Sequence, residues 1–211
     1  MTKIIIFDFD GTLADTIPIS INILKNLASK YYHKTIDEKL IKKLRNKSIP
    51  EIFKELDISI IKLPFIARKA RKELNKEIAN LKPIKGISEI LNQLKKQKII
   101  LGIVSSNSKE SIIKFLEVNN LNIFNFIYTN SRIFGKANNL KRLLRRNKWN
   151  IENTIYIGDE IRDIEAAKKT GIKIISVAWG VNSLKKLAQY HPDILVKSPQ
   201  ELLTRLQSII K

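Results

Sequence analysis

"KIIIFDFDGTLADT", residues 3–16, decides the fold. An apolar run without polar alternation suits a strand covered on both faces, as in a parallel sheet with helical crossovers. In extended backbone successive side chains alternate, so Asp8 and Asp10 point to one side while Phe9 points away. The carboxyl ends of strands in an open α/β sheet form the ligand crevice, and both acids stand at such an end. Gly11 lets the chain turn sharply behind them, and Thr12 follows with a hydroxyl. Two unpaired carboxylates so close together repel each other. A hard cation with oxygen ligands relieves that cost, and Mg²⁺ is the usual choice.

Outward from this stretch, short apolar runs recur at residues 99–104, 126–128, 154–157 and 172–177, most of them separated by amphipathic stretches of helical length. The fold class is therefore α/β, with a Rossmann-like parallel sheet as its core. Pro83 and Gly86 precede "ISEILNQLKKQ", Asn107 or Ser108 can cap "KESIIKFLEVNN", and Gly171 closes "EIRDIEAAKKTG". Residues 17–83 break the rhythm, with helical patterns and no convincing strand. "TIDE" (35–38) and "SIPE" (48–51) both have the form of a capping box, Pro18 suits a first helical turn, and one long pattern runs over 62–81. The expectation is an inserted α-helical cap domain of about four helices over 17–83. Its hinges fall near 16–19 and 81–86, and 1–16 with 84–211 form the core.

With 39 Lys+Arg against 20 Asp+Glu, the chain carries a formal charge of +19, enough to attract polyanions by field alone. Residues 17–83 hold 16 of the basic and 7 of the acidic residues, about twice the charge density of the remainder. Runs such as Arg68, Lys69, Arg71, Lys72 and Lys141, Arg142, Arg145, Arg146 lie in helical patterns, where solvated faces account for them. Nucleic acid is therefore not the expected partner. No cysteine is present, which excludes disulfides and thiolate metal sites and suits the cytoplasm. No apolar run approaches a membrane span, and the expectation is a soluble monomer or dimer without membrane attachment.

Other strand ends hold what a site around Asp8 and Asp10 would need. "IYIGDEIRD" ends a strand at Gly158-Asp159 and places Asp163 on the first turn of the next helix. "GIVSSNS" ends another with Ser105 and Ser106, and "FGK" sets Lys136 at a helix start. His33, His191, Trp149 and Trp179 have no partner at ligand spacing, which points to packing or surface roles.

"DFDGTLADT", "IVSSN", "FGK" and "GDEIRD", in that order, resemble the four motifs of the haloacid dehalogenase-like hydrolase superfamily over nearly the whole chain. The helical cap after the first motif and the tail "SVAWGVNSLKKLAQYHPDILVKSPQELL" are similar to its phosphoglycolate phosphatase-like branch. The resemblance implies a phosphatase acting on a small-molecule phosphomonoester, with phosphoglycolate a candidate. It gives Asp8 the role of nucleophile and Asp10 that of general acid and base. Mg²⁺ would be held by Asp8, the backbone carbonyl of Asp10, and Asp159. Ser105 and Lys136 would bind phosphoryl oxygens, and Asp163 would orient Lys136 or a bound water from behind. Gly11, Thr12, Ser106 and Asn107 would line the substrate. "LRNKSIPEIF" occupies the loop that relatives present to the active site, so Arg45, Asn46, Lys47 and Ser48 are expected to meet the non-reacting end of the substrate. Lys136 is followed by Ala137 where the family has proline, and Glu160 replaces a small hydroxyl residue.

Asp10 argues against a dehalogenase, which needs no acid for the leaving group. A sugar phosphomutase shares the whole core. A nucleic-acid-binding module with end-phosphatase activity would bind with steep salt dependence. A catalytically dead scaffold is at odds with a complete set of motif acids.

Overall fold

The computed structural model of the chain describes residues 2–129 and 135–210. It begins with β1 (Lys3–Phe7), followed by four helices with no strand between them: α1 (Ile17–Tyr32), α2 (Glu38–Leu44), α3 (Ile49–Glu55) and α4 (Leu63–Glu77). The chain then alternates: α5 (Ile87–Lys95), β2 (Ile99–Ser105), α6 (Lys109–Val118), β3 (Phe126–Thr129), α7 (Lys136–Asn147), β4 (Thr154–Gly158) and α8 (Ile161–Thr170). It closes with β5 (Lys173–Val177), α9 (Leu184–Ala188), β6 (Ile194–Val196) and α10 (Pro199–Ile210).

The strands form one parallel sheet in the order β3-β2-β1-β4-β5-β6. From β1 the chain moves outward through β2 and β3, then returns to the far side of β1 for β4. That reversal puts the switch point, where open sheets bind ligands, beside the ends of β1 and β4. Apolar residues of β1 serve both faces: Ile5 and Phe7 pack into one core with Ile90, Ile112 and Leu202, while Ile4 and Ile6 pack into another with Leu140 and Ile164. Full burial on both sides is why the run lacks polar alternation.

Helices α1–α4 bury an apolar cluster of their own that includes Ala28, Ile36, Leu44, Phe53 and Leu63. Ile23 and Leu74, from the inner faces of α1 and α4, belong instead to the core of the sheet. The two connections to these helices run side by side: the Asp15 N–H donates to Lys82 O at 3.0 Å and the Ile84 N–H to Leu13 O at 2.9 Å. The box at 48–51 forms, with the Ser48 N–H and hydroxyl both donating to Glu51. The box expected at 35–38 does not. Asp37 caps α2 instead, its Oδ1 accepting from Leu40 N at 2.7 Å, because an Asp oxygen two residues further on reaches the free N–H groups first.

Candidate active site at the switch point

Asp8 stands one residue beyond β1 and still pairs with β4, its N–H donating to Ile157 O at 2.8 Å. Its Oδ1 accepts from the Phe9 N–H at 2.8 Å and its Oδ2 from Lys136 Nζ at 2.9 Å. Lys136 opens α7 and is buried; its ammonium also donates to Asp163 Oδ1 at 2.5 Å. Asp163, on the first turn of α8, accepts further from the Glu160 N–H at 2.9 Å and Tyr156 Oη at 3.3 Å. The lysine is thus fixed between two carboxylates.

Asp159 follows β4 and is fully buried. Thr12 Oγ1 donates to its Oδ1 at 2.8 Å and the Val181 N–H to its Oδ2 at 2.7 Å. Two glycine backbones press on it: a Cβ at Gly11, where φ is +74°, would lie 2.5 Å from Oδ2, and one at Gly180 would lie 2.1 Å away. Only glycine fits at either point. Asp10 accepts from Asn107 Nδ2 at 3.3 Å through both oxygens. Ser105, at the end of β2, accepts from the Asn107 N–H at 3.0 Å, which leaves its own O–H to donate.

Charge is unbalanced here. Asp8, Asp10, Asp159, Glu160 and Asp163 face Lys136 and Arg162, and Arg162 is held by Glu160 through bonds of 2.7 and 2.5 Å. Burial raises the Asp8 carboxyl to about 6 although Lys136 opposes it. Burial, with the charge of Asp8 added, raises Asp10 to about 7. Burial and the neighbouring Glu160 push Asp159 well above the usual carboxylate range. Burial works against the charge on Lys136 too, but Asp163 and Asp8 outweigh it and hold the ammonium above its ordinary value. Arg162 likewise overcomes burial to keep Glu160 low.

Asp8, Asp159 and Asp163 each bring a carboxylate oxygen within 4.8 Å of the others. These are hard oxygen donors with a deficit of positive charge, so they fit a divalent cation of the Mg²⁺ class. Asp163 already accepts three hydrogen bonds, which leaves Asp8 and Asp159 the more open of the three.

A carboxyl raised by folding binds its proton more tightly in the native state, so stability falls as pH rises between the unfolded and folded values. That window opens at about pH 4 and runs to about pH 6 for Asp8 and about pH 7 for Asp10, with Asp159 acting in the same direction. In chelator, melting temperatures are expected to drop across it, and Mg²⁺ to flatten the slope. Identical profiles with and without Mg²⁺ would show that no ion relieves these acids.

A cavity of about 320 Å³ separates this edge from α1 and α4. Asp10, Ser106, Asn107, Glu160 and Arg162 line one end, and Ile23, Leu24, Leu27 and Leu74 the other. Neither Arg45 nor Lys47, expected against the substrate, is among its lining residues. Arg45 donates to Gly180 O at 2.8 Å and Val181 O at 3.2 Å, and Lys47 pairs with Glu55 at 3.3 Å. Asn46 accepts from the Ser183 hydroxyl and Ser48 caps α3, so all four loop residues have structural partners. Phe134 of the "FGK" triplet lies outside the described residues. Arg162, Gly180 and Asn182 also belong to this site without being expected from the sequence; the "WGVNS" turn directly after a strand is the signal available for the last two.

Residues 5–177 match the family described as haloacid dehalogenase-like hydrolase. A phosphoglycolate phosphatase of Synechococcus elongatus is 32% identical over 208 residues, covering 98% of each chain. A pyrophosphatase of Bacillus mycoides, PpaX, is 23% identical over 97% of each. Among solved structures, a haloacid dehalogenase-like family hydrolase from Streptococcus pneumoniae superposes with a TM-score of 0.79 at 23% identity, over 97% of this chain and 98% of that one. The last likeness speaks for the fold.

Proposed function

The chain belongs to the haloacid dehalogenase-like hydrolase family, and from that premise we propose a Mg²⁺-dependent phosphatase that hydrolyses a small phosphomonoester through an aspartyl-phosphate on Asp8. The observation that carries this reading is the seat of Asp8. One oxygen is anchored by Phe9 and Lys136 holds the other, beside a second carboxyl pushed up to about 7.

Asp8 attacks phosphorus in line, and the bond from phosphorus to the ester oxygen breaks. Asp10, protonated near neutral pH, gives its proton to the departing oxygen, then takes one from the water that cleaves the aspartyl-phosphate. Ser105 and Lys136 bind the phosphoryl oxygens, and Asp163 keeps Lys136 aimed at them. Asp8, Asp159 and the backbone carbonyl of Asp10 would hold Mg²⁺, which when bound neutralises the repulsion between an anionic nucleophile and an anionic ester.

In this reading residues 17–83 are a cap on a core of 1–16 and 84–211, and the paired connections at 13–15 and 82–84 are its hinge. A lid of this kind excludes bulk water and reopens for product. Phosphoglycolate is the first substrate to try, because the Synechococcus relative carries that name. No described helix is long and apolar enough to cross a membrane.

A phosphomonoester panel with Mg²⁺ tests the reading. In kcat/KM, which reports transfer to Asp8 and not the later attack of water, Asp10→Asn is expected to cost about 10²–10⁴-fold on an alkyl ester such as phosphoglycolate, and far less on p-nitrophenyl phosphate, whose leaving oxygen needs no proton. Equal losses on both would remove Asp10 from the acid role. Phosphate appearing on a second sugar hydroxyl, with none free in solution, would replace hydrolysis by a mutase reaction.

A further inference from the structure

Asn182 is almost fully buried, and its two amide atoms face different parts of the molecule. Oδ1 accepts from the N–H of Ile161, the first residue of α8, at 3.0 Å. Nδ2 donates to the backbone oxygens of Arg45 and Lys47, each at 3.2 Å, in the loop between α2 and α3. The same two loops meet at four further points. Ser183 N–H donates to Arg45 O at 3.0 Å, the Ser183 hydroxyl to Asn46, and the Arg45 guanidinium to Gly180 O and Val181 O. On its other side this 180–183 loop holds Asp159, through the Val181 N–H to Oδ2 and the Asn182 N–H to Asp159 O at 3.3 Å. Contact with Gly180 is close enough that a methyl group there would collide with the carboxylate.

We propose that residues 45–47 and 180–183 form the clasp that holds the cap closed, and that Asn182 is a positioning residue tying closure to the seating of Asp159. One short loop cannot satisfy the cap carbonyls and the carboxylate independently. When the cap lifts, Arg45 and Lys47 withdraw their carbonyls, Gly180 and Val181 lose the guanidinium, and the loop that backs Asp159 loses support on one side. With the cap down, all these donors and acceptors are matched. Arg45 therefore acts in this protein by shutting the lid. The first half of the proposal stands on the cap contacts alone; the second rests on the reading of Asp159 as a metal ligand.

Asn182→Asp separates the two jobs of the amide, because it keeps an acceptor for the Ile161 N–H and removes both donors to the cap. Arg45→Ala, in a partly exposed loop, opens the clasp from the other side without touching Asn182. The chain has no cysteine, so Lys39→Cys with Lys185→Cys, both at exposed sites on either side of the clasp, provides a clean pair for spin labels. With Mg²⁺ and orthophosphate, the parent is expected to give one narrow distance. Either variant should add a longer population, shifting the closed-to-open ratio by about tenfold for two lost hydrogen bonds. Asn182→Asp should also require about tenfold more Mg²⁺ both for half-maximal rate and for the metal-induced rise in melting temperature. Phosphoglycolate KM should rise more than kcat falls.

Unchanged distances in both variants would overturn the clasp. Longer distances with unaltered Mg²⁺ requirement in melting would overturn the link to Asp159 and leave the clasp standing. Absence of hydrolysis in the parent, with the distance change intact, would instead count against the phosphatase reading.

Discussion

Asp8→Asn is expected to lose turnover by about 10⁵-fold while the chain stays folded. The amide keeps the shape of the carboxyl group and its oxygen can still accept from the Phe9 N–H, but it cannot attack phosphorus. Neither Asp163 nor Asp159 is free to substitute. Asp163 is pinned by Lys136, Glu160 and Tyr156, and Asp159 by Thr12 and Val181. The stability consequence has the opposite sign. Burial pushes the Asp8 carboxyl up to about 6, so at neutral pH the ionised group sits in the native state at a cost, and a neutral amide removes it. Lys136 keeps Asp163 at 2.5 Å as counter-charge. In chelator the melting temperature of Asp8→Asn should therefore equal or exceed that of the parent at pH 7 and fall to or below it near pH 5. The rise on adding Mg²⁺ should shrink. Labelled phosphate trapped on the variant protein, or activity within about tenfold of the parent, would show that another residue is the nucleophile.

The parts of the site legible in the sequence are those set by backbone direction close at hand. Asp8 and Asp10 are two residues apart on extended chain, Asp159 ends a strand, and Asp163 lies one helical turn further on; alternation and helical spacing are enough to aim each. Recognising the strands needed no more than apolar runs separated by helices, except for β6; their order in the sheet came only from the fold. Strand β6 is only three residues, half-exposed except for Val196, and is recruited by pairing with β5, so it carries no run of its own. The 35–38 capping box failed because two residues competed for one helix start and the nearer oxygen won. What local pattern could not show is where loops far apart in sequence meet. The Thr12 to Asp159 bond spans 147 residues and the Asn182 to Arg45 bond 137. A cation in a loop facing the sheet edge has two uses, binding an anion or taking carbonyls as partners, and only the fold reveals that Gly180 O and Val181 O lie within reach of Arg45.

Lys136→Met is expected to damage stability as well as catalysis, unlike Asp8→Asn. The methionine fills the apolar stem but leaves Asp8 and Asp163, whose side chains are 5% and 0% exposed, without their shared cation. Removing one partner from a buried ionic group costs about 3–5 kcal/mol. For a domain of this size that is a drop of roughly 6–20 °C in melting temperature. The pH dependence of the loss identifies its cause. Lys136 has a raised pKa, so its stabilising charge is fully present below the unfolded lysine value and is lost only as pH rises through the still higher folded one; between pH 5 and 8 it is constant. Any change in the deficit across that range belongs to the carboxylates. In Lys136→Met the Asp8 carboxyl, already pushed up to about 6 by burial, loses the cation that opposes that rise, so the deficit should narrow as pH is lowered towards 5 and Asp8 takes up its proton. Excess Mg²⁺ should recover part of the melting temperature at pH 7 by supplying charge at Asp8, yet activity should remain down by about 10³-fold because the phosphoryl oxygens have lost a fixed donor. A variant that is inactive with unchanged melting at every pH would place Lys136 in solvent, outside the ion-pair chain that the reading of this site requires.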